Sequence, residues 1–391
     1  MLVRKAVVNN HNDAVSLIKN TGCAPKVIEL FVKKAAVIAI IIEDIDNRAA
    51  NILKQDAIAS GADASVSENV SRFKKGFSNA LLFATKKQAE KLIERLSLQP
   101  FGLKETASEI EKIIINKKVF KYKNSSLDLT NTAVMGIINL DPASFSGDGL
   151  TDASDAADKA AKFEEYGAKI IDIGAESSRP GAALIDAKIE IKRLIPALKK
   201  IRKTVKLPIS IDTYKYETAE IALKEGADIV NDIFALRRGK DKLAKLIASQ
   251  KAGVILMHMK GVPQNMQKNP QYKNCISEIY EFLKERKNYA QSFGIEKDFI
   301  SVDPGPGFGK NTFHNLELIK NMSVFSTLGA VVGAVSRKRF VRETSGDTIS
   351  EYVSANVLTA VCGADIIRVH DVKETINALN LAFGAGVNRR F

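Results

Sequence analysis

The sequence predicts an α/β fold, namely a (β/α)8 TIM barrel with an N-terminal hairpin plug, preceded by a small α/β domain. From residue 133 onward, eight short apolar runs alternate with helix-like stretches, and this repetition indicates a closed parallel barrel rather than an open sheet. A length of 391 residues accommodates one barrel of about 250 residues and one further unit. We therefore predict two domains, residues 1–117 and residues 118–391.

The first 117 residues alternate strand and helix signals. The predicted strands and helices are Val37–Ile42, Asn47–Ser60, Ala80–Ala84, Lys86–Ser97 and a helical stretch to about Ile115. The segment contains no phosphate-binding loop motif, no cluster of metal ligands and no recognisable nucleophile–base pair. We interpret it as a packing or dimerisation unit of unknown role.

A predicted hairpin leads into the barrel. Apolar and polar residues alternate on both sides of Asn124-Ser125-Ser126, which is typical of two short strands around a turn, and we expect this hairpin to close the N-terminal end of the barrel. The eight predicted barrel strands are Ala133–Asn139, Lys169–Gly174, Pro208–Thr213, Ile229–Asp232, Gly253–His258, Phe299–Asp303, Gly329–Val335 and Asp365–Val369. Gly167 and Gly226 end helix-like stretches, because glycine adopts the left-handed conformation at low cost.

Composition narrows the classes of protein that the sequence allows. The three cysteines lack the spacing of a zinc site or a disulfide framework, which favours a reducing compartment. The N-terminus does not resemble a signal peptide, and no apolar run approaches the roughly 20 residues of a membrane-spanning helix; we expect a cytoplasmic protein without a membrane partner. The net charge of +13 is spread along the chain, which favours a solvated basic surface with some attraction for an anionic substrate over nucleic-acid binding.

Polar residues at the ends of four predicted barrel strands suit a flat heterocycle. Asp212, Asn231 and Asp303 end strands three, four and six, and Lys338 follows strand seven, on the face where barrel active sites lie. A carboxylate that accepts two N–H bonds forms a planar clamp, and a lysine can donate to a ring carbonyl. The set predicts recognition of a guanine-like or pterin-like edge, although each residue alone could be a buried brace or a helix cap.

A second set of residues suits an anion. Arg368 and His370 follow strand eight, and Asn139 ends strand one, its neighbour in a closed barrel. Barrels often bind phosphate near strands seven and eight; a guanidinium binds phosphate oxygens, and an amide oxygen can bind Mg²⁺ that the phosphate shares. We therefore predict an anion next to the heterocycle, with Mg²⁺ as cofactor. Neither a zinc motif nor a Ser–His–Asp or Cys–His arrangement for acyl transfer is recognisable.

Three glycine-containing segments lie at the same end of the predicted barrel. The segment 305–310 superficially resembles a phosphate loop, but it lacks the Gly-x4-Gly-Lys-Ser/Thr spacing. We interpret its glycines as positions where the backbone approaches a flat ligand closely. The loops 142–149 and 177–181 are expected to close over substrates, with plain surface connections as the alternative.

The same segments resemble the signatures of the dihydropteroate synthase family, in the family's order and over residues 118–391. The matching motifs are Met135-Gly136-Ile137-Ile138-Asn139, Asp172-Ile173-Gly174 with Glu176-Ser177-Ser178-Arg179-Pro180-Gly181, Ile211-Asp212-Thr213, Asn231-Asp232-Ile233, Met257-His258-Met259-Lys260-Gly261, Asp303-Pro304-Gly305 with Gly307-Phe308-Gly309-Lys310, Ser336-Arg337-Lys338 and Arg368-Val369-His370-Asp371. The resemblance implies a transferase that condenses (7,8-dihydropterin-6-yl)methyl diphosphate with 4-aminobenzoate in folate biosynthesis. It further implies Mg²⁺ as cofactor, a sulfonamide target and a possible homodimer.

The resemblance also implies a role for individual residues. Those implied to bind the pterin diphosphate are Ser178, Asp212, Asn231, Asp303, Lys338, Arg368, His370 and Asn139, with Asn139 also a metal ligand. Those implied to line the aminobenzoate pocket are Phe145, Arg179, Pro180, Phe308 and Arg339. We expect Lys338, Arg368, His370 and Asp212 to be the catalytic residues.

The chain departs from the family pattern near the second substrate. Asp141 stands where the family usually has Thr, Ala143 where it has Asp, and Arg339 where Ser is common. Arg339 could bind the aminobenzoate carboxylate or favour a larger acidic or phosphorylated arylamine. The open alternatives are a pterin-binding methyltransferase-type barrel, a homologue that uses a different arylamine and a pterin-binding homologue without activity.

Overall fold

A computed structural model describes residues 1, 8, 11–115, 119–140, 152–177, 184–238 and 240–384. They divide into two units, the first within Met1–Lys117 and the second within Lys118–Ala385. In the described part of the chain, every helix is too short or too polar to cross a membrane.

The first unit is a three-stranded sheet with helices. Its helices and strands are α1 (His11–Lys19), a 3-10 turn (Pro25–Val27), α2 (Ile28–Val32), β1 (Val37–Asp46), α3 (Asn47–Ala59), β2 (Asp63–Val66), α4 (Glu68–Ser71), β3 (Phe77–Thr85), α5 (Lys86–Leu96) and α6 (Leu103–Ile114). The strand order is β1-β3-β2, and both neighbouring pairs are antiparallel. One face of the sheet packs with α3, α5 and α6 around side chains such as Leu53, Leu82, Leu92 and Leu103, which have no exposed surface.

The second unit begins with a hairpin and continues as a parallel barrel. Its strands are β4 (Val119–Tyr122), β5 (Ser125–Asp128), β6 (Ala133–Asn139), β7 (Ile170–Gly174), β8 (Ile209–Asp212), β9 (Ile229–Asp232), β10 (Gly253–Met257), β11 (Ile300–Asp303), β12 (Ala330–Gly333) and β13 (Ile366–Val369). Strands β6 to β13 pair in sequence order, and β13 closes the barrel by pairing with β6. The predicted (β/α)8 barrel is confirmed.

Helices follow the barrel strands. They are α7 (Ala153–Tyr166), α8 (Ala187–Thr204), α9 (Tyr216–Lys224), α10 (Lys240–Ser249), α11 (Cys275–Ser292), α12 (Thr312–Lys320), α13 (Arg339–Ser345), α14 (Ile349–Val361) and α15 (Val372–Gly384), with 3-10 turns at Lys297–Phe299 and Met322–Thr327. Because these helices cover the outside of the barrel and side chains fill its interior, the strands are buried on both faces. This is why they stand out in the sequence as uninterrupted apolar runs.

The hairpin packs against the N-terminal ends of the barrel strands, as predicted. Phe120 has no exposed surface and packs with Leu127 and Leu129 against residues that begin the strands, among them Ala133, Ile170 and Ile229. A Cβ at Gly253, the first residue of β10, would lie 3.0 Å from Phe120 Cζ, so glycine leaves room for the ring. The interior is therefore closed at this end, and ligands must enter at the other.

Candidate active site

A cavity of about 680 Å³ lies at the C-terminal ends of the barrel strands. The predicted site residues that line it are Asn139, Asp212, Phe308, Lys338, Arg339, Arg368 and His370. Asn231 and Asp303 are buried at the ends of β9 and β11 and do not line it. Phe145, Ser178, Arg179 and Pro180 lie outside the described residues, as do Asp141 and Ala143.

Arg368 is held by two carboxylates inside the barrel. Its Nε donates to Asp172 Oδ2 at 2.6 Å, and its Nη2 donates to Asp212 Oδ2 at 2.8 Å. Asp172, on β7, has no exposed surface, and its Oδ1 has no hydrogen-bond partner among the described residues. Such charge-assisted pairs are strong and directional, so the guanidinium has a fixed position before any ligand binds. No role was predicted for Asp172 from the sequence, although a carboxylate within an apolar strand signals a buried polar contact.

Asp212 and Asp303, which end β8 and β11, both have a raised pKa. Burial raises the pKa of the Asp212 carboxyl to about 7; Arg368 opposes this shift and Asp172 adds to it. Burial also raises the pKa of Asp303. The Gly305 N–H group, which donates to Asp303 Oδ1 at 2.7 Å, lowers this pKa but does not cancel the effect of burial. Perturbed carboxyls in a cleft are typical of functional sites.

Lys338 lies against the loop after β11. Its Nζ is 4.1 Å from the centroid of the Phe308 ring, a cation–π distance. Gly307 adopts a positive φ of 82°, and a Cβ there would lie 3.1 Å from Lys338 Cδ. Glycine at this position therefore leaves room for the lysine side chain beside the ring.

The interpretation of the other two glycines in this loop was wrong. A Cβ at Gly305 would lie 2.0 Å from the His258 carbonyl oxygen, and one at Gly309 would lie 2.5 Å from that of Lys260. These glycines allow the loop to approach the chain's own backbone after β10, rather than a ligand.

Two side-chain pairs join the segments that follow β12 and β13. Ser336 Oγ lies 3.1 Å from His370 Nδ1 and accepts a hydrogen bond from the His370 backbone N–H group at 3.3 Å. Arg337 Nη2 donates to Asp371 Oδ1 at 2.8 Å, and Arg337 itself has a positive φ of 55°. The pairs fix the imidazole at Nδ1 and hold the turn from which Lys338 extends.

Arg339 lies at the rim of the cavity. Its Nε is 3.0 Å from Glu343 Oε1 one helical turn later, and most of its side chain is exposed. An exposed pair of this kind contributes little to stability, so a ligand carboxylate could replace it at small cost.

A buried ion cluster lies beside Asp212. Lys215 Nζ donates to Glu190 Oε2 at 2.9 Å and also to Glu176, and Tyr214 OH donates to Glu176 Oε1 at 3.2 Å. Glu176 follows β7 and Glu190 lies in the first turn of α8. One ammonium group therefore holds positions on both sides of the segment that connects β7 to α8, a role that sequence analysis did not assign.

Comparisons with known proteins identify the family to which the chain belongs. The profile of the family described as pterin binding enzyme matches residues 135–370. The dihydropteroate synthase of Escherichia coli is 38% identical over 281 residues, covering 69% of this chain and 98% of the relative. The bifunctional dihydropteroate synthase/dihydropteroate reductase of Helicobacter pylori is 34% identical over 351 residues, covering 87% and 88%.

A solved structure gives the same result. The dihydropteroate synthase of Xanthomonas albilineans with 4-aminobenzoic acid superposes with a TM-score of 0.61 at 35% identity, covering 67% of this chain and 95% of that one. The family profile, the relatives and the solved structure agree on the family and on the barrel fold. The chain therefore belongs to the dihydropteroate synthase family of pterin-binding enzymes.

Proposed function

We propose that this chain condenses (7,8-dihydropterin-6-yl)methyl diphosphate with 4-aminobenzoate to give 7,8-dihydropteroate and diphosphate. One observation supports this choice most strongly. Arg368 of the predicted anion site donates from Nη2 to Oδ2 of Asp212, in the predicted heterocycle site, at 2.8 Å. A ligand that fills both sites must carry its anion within a few bonds of the heterocycle. A pterin joined to diphosphate through one methylene group has this shape.

The pterin would be held by Asp212, Asn231, Asp303 and Lys338. The carboxylates would accept ring and amino N–H bonds, and Lys338 would donate to the ring carbonyl. Burial of Asp303 and Asn231 excludes water from these bonds and so strengthens them. Ser178 is proposed to contribute from the loop after β7.

The diphosphate would be held by Arg368, His370 and Asn139. As the bond from the methylene carbon to the diphosphate oxygen breaks, negative charge grows on that oxygen, and fixed donors stabilise it without reorganising. Arg368 meets this requirement because Asp172 holds its Nε. The imidazole of His370 is likewise oriented by Ser336.

Mg²⁺ is a proposed cofactor of the anion site. It usually binds one or two protein oxygens together with substrate phosphates and water. Asn139 offers an uncharged oxygen ligand at the cavity wall, and among the described residues no group of three or more His, Cys, Asp or Glu side chains could hold a metal. A bound Mg²⁺ would neutralise diphosphate charge, with Asn139 as a protein ligand.

The arylamine would bind beside Phe308 and Arg339, together with Phe145, Arg179 and Pro180. Its nitrogen is neutral at neutral pH, so it can attack the methylene carbon directly. The new C–N bond forms, the C–O bond to diphosphate breaks, and the proton lost by nitrogen passes to solvent or to the released diphosphate. The protein's main contribution is to hold carbon and nitrogen in line.

Product formation tests the proposal directly. The purified chain is incubated with the pterin diphosphate, Mg²⁺ and radiolabelled 4-aminobenzoate, and labelled dihydropteroate is separated by chromatography. Absence of labelled product at every substrate concentration would overturn the proposal. The Lys338→Ala chain is the matched control, and a series of acidic and phosphorylated arylamines tests whether Arg339 changes the preferred nucleophile.

The same assay decides among the other interpretations. A methyltransferase-type barrel would not bind diphosphate, whereas the proposed enzyme should be inhibited by it. An inactive homologue would bind the pterin diphosphate without turnover, and replacing Asp141 by Thr and Ala143 by Asp would then restore activity.

A second candidate activity is reduction of the product. The alignment with the Helicobacter pylori relative covers 87% of this chain, more than the barrel unit can supply, so it includes part of the first unit. Reduction of 7,8-dihydropteroate would add a hydride from a reduced flavin or nicotinamide to C6 and a proton to N5. Oxidation of NADPH that depends on dihydropteroate, measured at 340 nm with and without added flavin, supports this activity; no oxidation above background rejects it.

Two further predictions accompany the proposed function. A homodimer stays a prediction, and light scattering coupled to size-exclusion chromatography measures the mass in solution. Cytoplasmic location also stays a prediction, and cell fractionation tests it.

A further inference from the structure

Lys310 is a buried lysine whose amine contacts neutral groups. It is only 2% exposed, and the hydrogen bonds of its Nζ within the described part of the chain are with two backbone carbonyls and an imidazole. The nitrogen lies 2.9 Å from each of three atoms, namely the carbonyl oxygens of Gly305 and Phe308 and Nδ1 of His258. All polar contacts of this amine are therefore with one loop and one neighbouring residue.

Burial of this amine is costly, and the contacts offset the cost only in part. An ammonium group has three donors, and three acceptors surround it, yet burial still lowers the pKa of Lys310 to about 7. An apolar side chain of similar length would be cheaper to bury. The presence of an amine at this buried position is therefore best explained by the groups that it holds in place.

The groups that Lys310 holds belong to the substrate site. The Gly305 carbonyl lies two residues after Asp303, and the Gly305 N–H group donates to the Asp303 carboxylate at 2.7 Å. The Phe308 carbonyl belongs to the residue whose ring lies under Lys338. Two bonds from one nitrogen thus fix the backbone on both sides of the Gly305–Phe308 turn.

His258 anchors the amine to the rest of the barrel. It follows β10, its ring packs edge-on against Phe282 at 4.9 Å between centroids, and only 6% of its surface is exposed. Burial lowers the pKa of His258 well below its ordinary value, and the charge of Lys310 acts in the same direction. The imidazole is therefore neutral and can accept a bond from the amine through Nδ1.

We propose that Lys310 is a positioning residue for the condensation, because its side-chain nitrogen joins the Gly305 and Phe308 carbonyls to His258 and so fixes Phe308 and Asp303 relative to each other. This inference rests on the proposed function for its kinetic consequence. Its structural consequence, a rigid Phe308 ring, can be measured without any substrate.

The first measurement uses tryptophan fluorescence. The natural chain has no Trp, so Phe308→Trp introduces a single reporter whose time-resolved anisotropy describes motion of that side chain. Adding Lys310→Met to this reporter should produce a large fast component in the anisotropy decay. Adding Asp228→Ala, a change at the opposite end of the barrel, should not. Equal decays for the Lys310→Met and Asp228→Ala chains would overturn the proposal.

The second measurement separates KM from kcat. In the chain that keeps Phe308, Lys310→Met should lower kcat/KM for 4-aminobenzoate about tenfold or more, with at least part of the loss in KM, since misplacement by about 1 Å can cost roughly a hundredfold in rate. Asp228→Ala, chosen for a comparable loss of Tm, should leave KM unchanged. A loss of Tm in Lys310→Met with unchanged KM and unchanged anisotropy would show that the lysine is only a core residue.

A milder variant covers failure of Lys310→Met to fold. His258→Ala removes one of the three acceptors and keeps the lysine, so it should shift anisotropy and KM in the same direction by a smaller amount; no shift in either would overturn the proposal. If the unaltered chain forms no dihydropteroate, the proposed function fails. The anisotropy comparison then still decides whether Lys310 fixes Phe308.

Discussion

Arg368 and Asp172 are joined by a hydrogen bond of 2.6 Å from the guanidinium Nε to a carboxylate that has no exposed surface. The two residues lie on β13 and β7, on either side of β6 in the barrel. The bond holds the proposed anion-binding group in place without help from a ligand. A donor that is fixed in advance does not reorganise as charge develops on the leaving group, which is the main source of electrostatic catalysis.

The first prediction concerns the pH dependence of kcat/KM for the pterin diphosphate. Asp212 can form a charge-assisted clamp with two pterin N–H groups only as a carboxylate, and burial raises its pKa to about 7. The rate constant should therefore fall about tenfold per pH unit well below about 7 and level off above it. Asp212→Asn should remove this limb, whereas a profile that is flat between about pH 5 and 8 would contradict the assignment.

The second prediction is that Asp172→Asn moves the acidic limb of the kcat/KM profile, the fall in kcat/KM below about pH 7, to lower pH. The negative charge of Asp172 raises the pKa of Asp212, so its removal makes Asp212 easier to ionise. The plateau should also fall, about tenfold to a hundredfold, because a neutral amide oxygen holds the Arg368 guanidinium less firmly than the carboxylate at 2.6 Å does. Asp228→Asn, at the N-terminal end of the barrel, is the control and should leave the midpoint unchanged. An unmoved midpoint in Asp172→Asn would contradict the proposed coupling.

The sequence predicts the barrel well because its strands are buried on both faces. Strand β6 was predicted with the bounds that the structure shows, since its run of buried residues from Ala133 to Ile138 has clear ends. Strand β2 was not predicted, because its four residues, Asp63–Val66, include only two apolar side chains. Short edge strands lack the repetition on which such predictions depend.

Site residues could be predicted from the sequence where a polar residue lies at the end of a strand. They could not be predicted where a polar residue lies within a strand. Asp212 and Arg368 were identified because active-site residues of barrels lie at strand ends. The role of Asp172 depends on its contact with a residue 196 positions away, which no local pattern contains. Lys310 was interpreted only as the end of a false phosphate loop, because its partners are backbone carbonyls that any sequence supplies.

The third prediction is that Lys338→Ala abolishes turnover with little loss of stability. Removal of one preorganised donor commonly costs about a hundredfold to a thousandfold in rate, and Lys338 is not part of the buried core. Tm should change by no more than about 2 °C, as expected for a partly exposed side chain. Lys320→Ala, on the exposed surface of α12, is the control and should be neutral in both measurements. Parallel losses of Tm and activity in Lys338→Ala would count against a catalytic role.

The fourth prediction is that Ser336→Ala weakens diphosphate binding. The hydroxyl lies 3.1 Å from His370 Nδ1, and loss of one such hydrogen bond costs about 0.5–1.5 kcal/mol. The inhibition constant of diphosphate should therefore rise roughly twofold to twelvefold. Ser301→Ala is a useful comparison, because Ser301 Oγ donates to the Ala330 carbonyl within the barrel wall and should affect stability alone. An unchanged inhibition constant in Ser336→Ala would show that the imidazole is oriented by other contacts.

The fifth prediction separates stability from activity at the two ends of the barrel. Phe120 is fully buried in the hairpin plug and packs against residues at the N-terminal ends of the strands. Phe120→Ala should lower the free energy of unfolding by about 3–5 kcal/mol and the Tm of the barrel transition by roughly 10 °C. At about 25 °C its kcat/KM should stay within about twofold of the natural chain, because the active-site residues lie at the opposite strand ends.

Phe313→Ala, which changes an exposed phenylalanine on α12, is the control for loss of a ring. Calorimetry measures the effect on stability, and steady-state kinetics measures the effect on activity. A large loss of activity in Phe120→Ala before any unfolding would mean that the plug also sets the geometry of the site.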